Sequence, residues 1–268
     1  MVSSATDPSP PTARLLTSRH ARTLVLTLSD PATRNALAPS IYAEAVAALD
    51  AARHDGDLRA VVLTGADGQF CAGGNLGQLA QVRGQPERQA ERVDALHRWI
   101  ATLQDHPLPV IAAVEGHAAG AGCSLAFGCD LLVAARDARF GLAYGRVGFS
   151  PDGGAVRALL QRLPRAQALE WLWLAQQRDA ETLARQGLVN RLTEPGQALA
   201  TALALADELA RFAPNAIAAV KRLARDAVTL PLAEHLDRER DAFIASVNHA
   251  NGAEGLAAWR ERRAPDFR

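Results

Sequence analysis

Residues 109–135 read PVIAAVEGHAAGAGCSLAFGCDLLVAA, and their pattern is the strongest indication of the fold. PVIAAV near its start and DLLVAA at its end are continuous apolar runs of the kind that forms fully buried parallel strands. Between them lie a small-residue turn, HAAGAG, and a short helical piece, CSLAFG. The order strand, turn, helix, strand predicts an α/β protein with a mostly parallel sheet.

The sequence before this stretch has a similar organisation. RAVVLTG is another buried strand, and it leads into a glycine-rich turn at Phe70–Leu76, FCAGGNL. Upstream of it, the pattern predicts a hairpin with its turn at Ser18–His20 and then a helix capped by Ser40. A charged helix is predicted over 86–105. Strand, glycine-rich turn and helix therefore occur twice in the first half of the chain.

The chain divides into three predicted regions. Residues 1–12 are rich in Ser and Pro and are expected to be a disordered tail. Residues 13–195 form the mixed α/β core, and residues 196–268 form a helical region with broad apolar stripes. Such apolar stripes are expected to be buried, either against the protein's own core or against a neighbouring subunit.

Composition excludes several classes of protein. The 268 residues include 29 basic and 29 acidic side chains, so no net charge favours nucleic acid or an anionic membrane. No apolar run is long enough to span a membrane. Three cysteines without a CxxC spacing fit a reducing, cytoplasmic setting better than a disulfide framework. No set of side chains has the spacing of a metal site.

The two glycine-rich turns are the first candidate site. Glycine and alanine leave backbone amides open to a ligand, and amides at a helix N-terminus lack internal partners. Two such turns aimed at one point could bind a developing oxyanion. Alternatively, both are simply tight turns. Neither has the pattern of a phosphate-binding loop or of a nucleophile elbow.

Taken in order, the motifs resemble those of the enoyl-CoA hydratase/isomerase family, the crotonase superfamily, and most closely its isomerase-like branch. The resemblance covers nearly the whole chain after the tail. It rests on six segments in family order: LSDPATRNALAPSI, VVLTGADGQFCAGGNL, PVIAAVEGHAAGAGCSLAFGCDLLVAA, RVGFSPDGG, DAETLARQGLVNRL and EGLAAWRERRAPDF.

The resemblance implies a spiral of ββα repeats with a helical C-terminal region for trimerisation, as a homotrimer or a dimer of trimers. It implies an acyl-CoA thioester as substrate, with coenzyme A present only as part of it and no other cofactor. The amides of Gly74 and Ala121 would form the oxyanion hole. Ala36 and Ala72 would lie along the CoA moiety, and Arg262 of a neighbouring subunit would lie near its ribose phosphate.

The departures from the hydratases of this family concern the catalytic carboxylates. Where hydratases carry two glutamates, this chain has Ser124 and Tyr144, which are poor general bases near pH 7. Asp152 lies where several isomerases of the family place a carboxylate. Without the resemblance, Asp152 would be interpreted as a turn residue capping the next helix. Leu142, Tyr144 and Phe149 are candidates for the acyl pocket wall or for core packing.

These residues predict an isomerase that moves a double bond in an unsaturated acyl-CoA, with Asp152 carrying the proton. The alternatives are an enoyl-CoA hydratase, a hydrolase or dehalogenase with Asp152 as nucleophile, and an acyl-CoA binder without catalysis.

Overall fold

The computed structural model describes residues 13–268, so the predicted tail at 1–12 lies outside the described residues. The described chain contains the strands β1 (Arg14–His20), β2 (Thr23–Ser29), β3 (Ala60–Gly65), β4 (Val110–Val114), β5 (His117–Ala119), β6 (Leu131–Ala135), β7 (Arg139–Gly141), β8 (Gln177–Asp179) and β9 (Arg191–Thr193). Its helices are α1 (Pro39–Arg53), α2 (Leu76–Gln81), α3 (Pro86–Asp105), α4 (Ala121–Gly128), α5 (Ala155–Leu160), α6 (Arg165–Leu174), α7 (Ala180–Arg185), α8 (Ala198–Leu209), α9 (Pro214–Asp226), α10 (Leu232–Val247) and α11 (Ala250–Glu261). Two 3₁₀ helices cover Pro31–Thr33 and Ala143–Val147.

The main sheet has six strands in the order β1-β2-β3-β4-β6-β9. Only the β1–β2 hairpin is antiparallel, and the other four pairs are parallel. The central strands are buried on both faces, which explains why their sequences are continuous apolar runs. On one face α8 contributes Ala198, Ala202, Leu205 and Ala206 to a compact core. The larger core lies on the other face, against α1, α3 and α4.

A second sheet joins three short strands in the order β5-β7-β8. The pair β5–β7 is parallel and the pair β7–β8 is antiparallel. Each strand has only three residues, so no sequence alternation could reveal it. The segment HAAGAG, predicted as a turn, therefore begins with a strand and bends only afterwards.

Two local predictions are wrong in detail. Ser18–His20 lies within β1, and the hairpin turns at Ala21 and Arg22, where Ala21 adopts a positive φ of 49°. Ser40 is not the cap of α1, because that helix begins at Pro39 after an extended Ala38. A proline is well suited to the first turn of a helix, where its missing N–H costs nothing.

The helices after α8 expose much apolar surface. The side chains concerned are between 45% and 77% exposed: Val220, Leu232, Leu236, Phe243, Ile244, Val247, Leu256 and Trp259. Most lie on α10 and α11, and no part of the described chain covers them. No helix in residues 13–268 combines the length and apolar character that crossing a membrane requires.

Candidate active site

The two glycine-rich turns pack directly against each other. Cys71 donates its N–H to the carbonyl of His117 (2.9 Å) and accepts from the N–H of Ala119 (2.9 Å), which fastens the first turn to β5. Gly73 follows with a φ of 89°. A Cβ at Gly73 would lie 2.5 Å from the carbonyl oxygen of Ala119 and 3.4 Å from the nitrogen of Ala121. Only glycine permits this backbone-to-backbone contact.

Both predicted oxyanion donors lie on these adjoining turns. Gly74 is exposed, and within residues 13–268 its N–H has no acceptor. Ala121 is the first residue of α4, and its N–H is likewise without an acceptor in the described chain. Helix geometry explains why the Ala121 N–H is free, because the first N–H groups of a helix have no helical carbonyl one turn earlier to bond to. The arrangement can offer two amides to one oxygen atom.

The thiol of Cys71 helps to hold the first glycine-rich turn in place. Its Sγ accepts a hydrogen bond from the N–H of Gly73 at 3.4 Å. Burial raises the pKa of the Cys71 thiol to about 12, and that of Cys129 to about 12 as well. Neither thiol ionises near neutral pH, so neither is suited to be a nucleophile.

Asp152 lies in a loop whose contacts hold it from both sides. The hydroxyl of Tyr144 donates to Oδ1 of Asp152 at 2.6 Å, and the hydroxyl of Ser124 donates to the Asp152 carbonyl at 2.9 Å. The next N–H, that of Gly153, donates to Nε2 of His97 on α3 at 3.3 Å. Within the described residues, Oδ2 of Asp152 accepts no hydrogen bond, so it is the carboxylate oxygen left for a ligand.

The interpretation of Asp152 as a helix cap is wrong. The residue before α5 is Gly154, in the left-handed region, and no side chain caps this helix. Gly153 is also left-handed, with a φ of 60°. A Cβ at Gly153 would come within 2.7 Å of the Ser124 Cβ. The two glycines thus turn the chain tightly over α4 and direct the Asp152 carboxylate to Tyr144 instead of to the helix.

Tyr144 connects Asp152 to the second glycine-rich turn. Its hydroxyl would lie 3.8 Å from a Cβ placed on Gly120, the residue just before Ala121. The Ser124 and Tyr144 hydroxyls are 3.4 Å apart. Burial, and then the charge of Asp152, raises the pKa of Tyr144 well above its usual value, so the phenol stays protonated and donates. Sequence reasoning missed this link because Ser124 is 20 and 28 residues from its two partners, and because nothing in the segment between Tyr144 and Asp152 shows that the chain folds back there.

A cleft of about 570 Å³ opens beside Asp152. The side chains on its walls include Val156, Leu160 and Val228, which are apolar, and Arg157, which is charged. Val228 comes from the segment after α9, so the C-terminal region closes one side of the cleft. Its walls offer apolar contact next to a carboxylate, which suits an acyl group.

The remaining predicted site residues lie in different surroundings. Ala36 is buried, and Ala72 is partly buried and hydrogen-bonded through its N–H to the carbonyl of Arg34 (3.0 Å). Leu142 is fully buried in the main core, whereas Phe149 is 52% exposed. Arg262 ends α11 in a left-handed conformation.

The surface around Arg262 is a cleft that it shares with Trp259, Arg260 and Arg263. Within one chain, this cleft shares no lining residue with the cleft beside Asp152. No cluster of three metal-ligating side chains occurs in the part of the chain that is described.

Comparison with known proteins identifies the family of the chain. The family model described as enoyl-CoA hydratase/isomerase matches residues 18–268, and the chain belongs to that family. A 2,3-dehydroadipyl-CoA hydratase of Escherichia coli K12 is 34% identical, over 96% of this chain and 99% of its own. A 1,2-epoxyphenylacetyl-CoA isomerase of the same strain is 32% identical, over 91% and 94%.

Solved structures confirm the fold. The crystal structure of an enoyl-CoA hydratase from Polaromonas sp. JS666 is similar with a TM-score of 0.93 and 46% identity, over 95% of this chain and 99% of that one. An enoyl-CoA hydratase from Bacillus anthracis gives a TM-score of 0.89 at 25% identity, over 94% and 98%. The predicted α/β fold of the crotonase type is confirmed, and the chain is an acyl-CoA enzyme of this superfamily.

Proposed function

We propose that this protein isomerises the double bond of an unsaturated acyl-CoA, converting a 3-enoyl thioester, or a ring-derived equivalent, to the conjugated 2-enoyl form. The observation that carries this proposal is the Asp152 carboxylate, held by Tyr144 and Ser124 with one oxygen free. By the resemblance of the motifs, Ser124 and Tyr144 would stand where hydratases of the family carry glutamates. In the described chain no second carboxylate is hydrogen-bonded to this group.

The chemistry requires only one carboxylate. The amides of Gly74 and Ala121 polarise the thioester carbonyl, which makes the protons on C2 acidic. Asp152 removes one of them, and the electron pair moves through C2 onto the thioester oxygen. The dienolate then takes the proton at C4 from the same carboxylic acid, and the double bond closes between C2 and C3. No atom is oxidised or reduced, so the reaction needs no further cofactor.

Hydration is a harder task for this site. Adding water needs one group to activate the water and another to deliver a proton. The Tyr144 phenol is held in its protonated form, and Ser124 donates its hydroxyl proton to a backbone carbonyl. The names of the relatives include both hydratases and an isomerase, so the direct test is turnover.

The test compares two substrates and two variants. The wild-type protein should convert 3-enoyl-CoA to the conjugated thioester and hydrate 2-enoyl-CoA only slowly. Asp152→Asn should lower isomerisation by about 10²–10⁴-fold, the contribution typical of a general acid–base group. Asp137→Asn is the matched control, since Asp137 is exposed on a distant turn.

Each alternative has its own outcome in the same experiment. Rapid hydration of 2-enoyl-CoA would overturn the isomerase proposal in favour of a hydratase. Release of free CoA, or a covalent acyl or aryl adduct on Asp152, would identify a nucleophilic mechanism. Affinity for acyl-CoA without any turnover would identify a binder.

We also propose that the chain assembles as a homotrimer or a dimer of trimers. The exposed apolar side chains of α10 and α11 support this assembly, because so many large apolar side chains on two successive helices are seldom all left in water. Trp259 and Arg262 line the same cleft at the end of α11, so an interface that buries Trp259 would also bring Arg262 against a neighbouring subunit. Sedimentation analysis tests the proposal: a monomer at micromolar concentration would contradict it.

A further inference from the structure

We infer that Tyr144 is a positioning residue, which fixes the Asp152 carboxylate so that a single oxygen carries the proton between two carbons of the substrate. This inference rests on the proposed function and goes beyond it, since it assigns the role of a side chain that the reaction itself does not require. The contact that carries it is the 2.6 Å hydrogen bond from the Tyr144 hydroxyl to Oδ1 of Asp152.

The contact restrains the carboxylate in two ways. The phenol occupies Oδ1, so the carboxylate plane cannot rotate without losing a hydrogen bond to a charged acceptor. Ser124 separately holds the Asp152 carbonyl at 2.9 Å, so the backbone that carries the side chain is also fixed. Both donors come from the walls of the site: Ser124 from α4, and Tyr144 from the 3₁₀ helix Ala143–Val147. Only Oδ2 is left to meet a substrate.

The position of the phenol links the base to the candidate oxyanion hole. Tyr144 lies over Gly120, and the amide of Ala121 follows in the chain. One side chain therefore sets the placement of Asp152 relative to the turn that would hold the thioester oxygen. Tyr144 itself stays protonated, because burial and the neighbouring carboxylate disfavour the phenolate. It thus orients the proton carrier without exchanging a proton with the substrate.

The consequence for the reaction is internal return of the proton. The C2–H bond breaks, the proton binds to Oδ2, and the same Oδ2–H bond then breaks as the proton passes to C4. A carboxylic acid that cannot rotate has little opportunity to exchange this proton with water before it is returned. Deuterium placed at C2 should therefore appear at C4 in the product formed by the wild-type protein.

The experiment uses Tyr144→Phe with Tyr42→Phe as matched control. The chain has two tyrosines, and Tyr42 is buried and close enough to Asp152 to experience its charge, but makes no hydrogen bond to it in the described structure. Tyr144→Phe should lower kcat about 10-fold with KM within about twofold, the effect of losing one hydrogen bond to a charged group. It should also reduce the fraction of deuterium carried from C2 to C4. Tyr42→Phe should leave both values as in the wild type.

A second measurement does not depend on activity. With tyrosine labelled with ¹³C at Cζ, the protein gives two NMR signals, and Tyr144→Phe assigns them. Replacement of Asp152 by Asn should move the Tyr144 signal, which loses a hydrogen bond, much further than the Tyr42 signal, which loses only a nearby charge. An unmoved Tyr144 signal would overturn the inference, as would full kcat and full deuterium transfer in Tyr144→Phe. If the wild-type protein shows no isomerisation, the proposed function is refuted. The NMR measurement would still show whether Tyr144 is hydrogen-bonded to Asp152.

Discussion

Replacing Gly73 by Ala is the change that most directly separates the two glycine-rich turns. Gly73 has a φ of 89°, and a left-handed conformation costs an alanine about 1–2 kcal/mol. Its Cβ would lie 2.5 Å from the carbonyl oxygen of Ala119, which is backbone and cannot rotate away. Overpacking of this kind adds about 1–3 kcal/mol. The free energy of unfolding should therefore fall by about 2–5 kcal/mol in total.

Activity should fall more than stability alone explains. The turns must move apart to admit the methyl group, and the amides of Gly74 and Ala121 then no longer face one oxygen. Losing one oxyanion donor costs about 10²–10³-fold in kcat. Urea unfolding gives the stability, and turnover of 3-enoyl-CoA by the folded fraction gives kcat.

Gly187→Ala is the matched control for this variant. Gly187 has a similar φ of 78°, but nothing lies within 4 Å of the Cβ position. The control should lose only about 1–2 kcal/mol of stability and keep its kcat. Equal losses of stability in the two variants, with kcat retained in Gly73→Ala, would show that the two turns are not in close backbone contact at Gly73.

Three further changes test other parts of the structure. Ser124→Ala removes the hydrogen bond to the Asp152 carbonyl and should cost about 0.5–1.5 kcal/mol in urea unfolding together with a lower kcat; an unchanged kcat would show that this bond does not hold the loop. Lys221→Met removes the cation that lies 2.6 Å from the Asp130 carboxylate. Burial raises the pKa of Asp130, so its charged form depends on this partner. The substitution should lower the free energy of unfolding by about 2–3 kcal/mol. Adding Asp130→Asn should recover part of that loss, and failure to do so would argue against the pairing. Burial lowers the pKa of His106 from 6.5 to about 4. Between these two pH values the folded protein binds fewer protons at His106 than the unfolded chain does. The free energy of unfolding should therefore fall by up to about 3 kcal/mol as the pH drops from 6.5 to 4. His106→Gln should flatten the pH dependence of urea unfolding, and an equally steep dependence would contradict the assignment.

The two glycine-rich turns can be predicted from the sequence because their residue types indicate an open backbone. A buried strand followed by small residues leaves the backbone open, and the pairing of Cys71 with Ala118 brings the two turns together. The sequence also predicts Asp152 as the candidate carboxylate, but it does not predict the surroundings of that side chain. Residue type alone favoured a helix cap at Asp152, whereas the positive φ angles of Gly153 and Gly154 turn the carboxylate towards Tyr144.

The second sheet shows a different limit of sequence reasoning. Its strands β5, β7 and β8 have three residues each, too few for a periodic pattern, and they pair across long stretches of chain. Their pairing places Gly120 and Tyr144 side by side, because β5 and β7 end at Ala119 and Gly141 in register. The contact between Tyr144 and Gly120 thus depends on tertiary structure that no local signal encodes.

The most direct measurement is the infrared stretch of a ¹³C-labelled thioester carbonyl in bound acyl-CoA. Two amide donors on one oxygen weaken the C=O bond, so the band should move to lower frequency in the wild-type protein. The same shift should occur in Asp152→Asn, which keeps both turns, and should be lost in Gly73→Ala. A carbonyl band at its solution frequency in the wild-type complex would contradict the proposal that Gly74 and Ala121 hold the thioester oxygen.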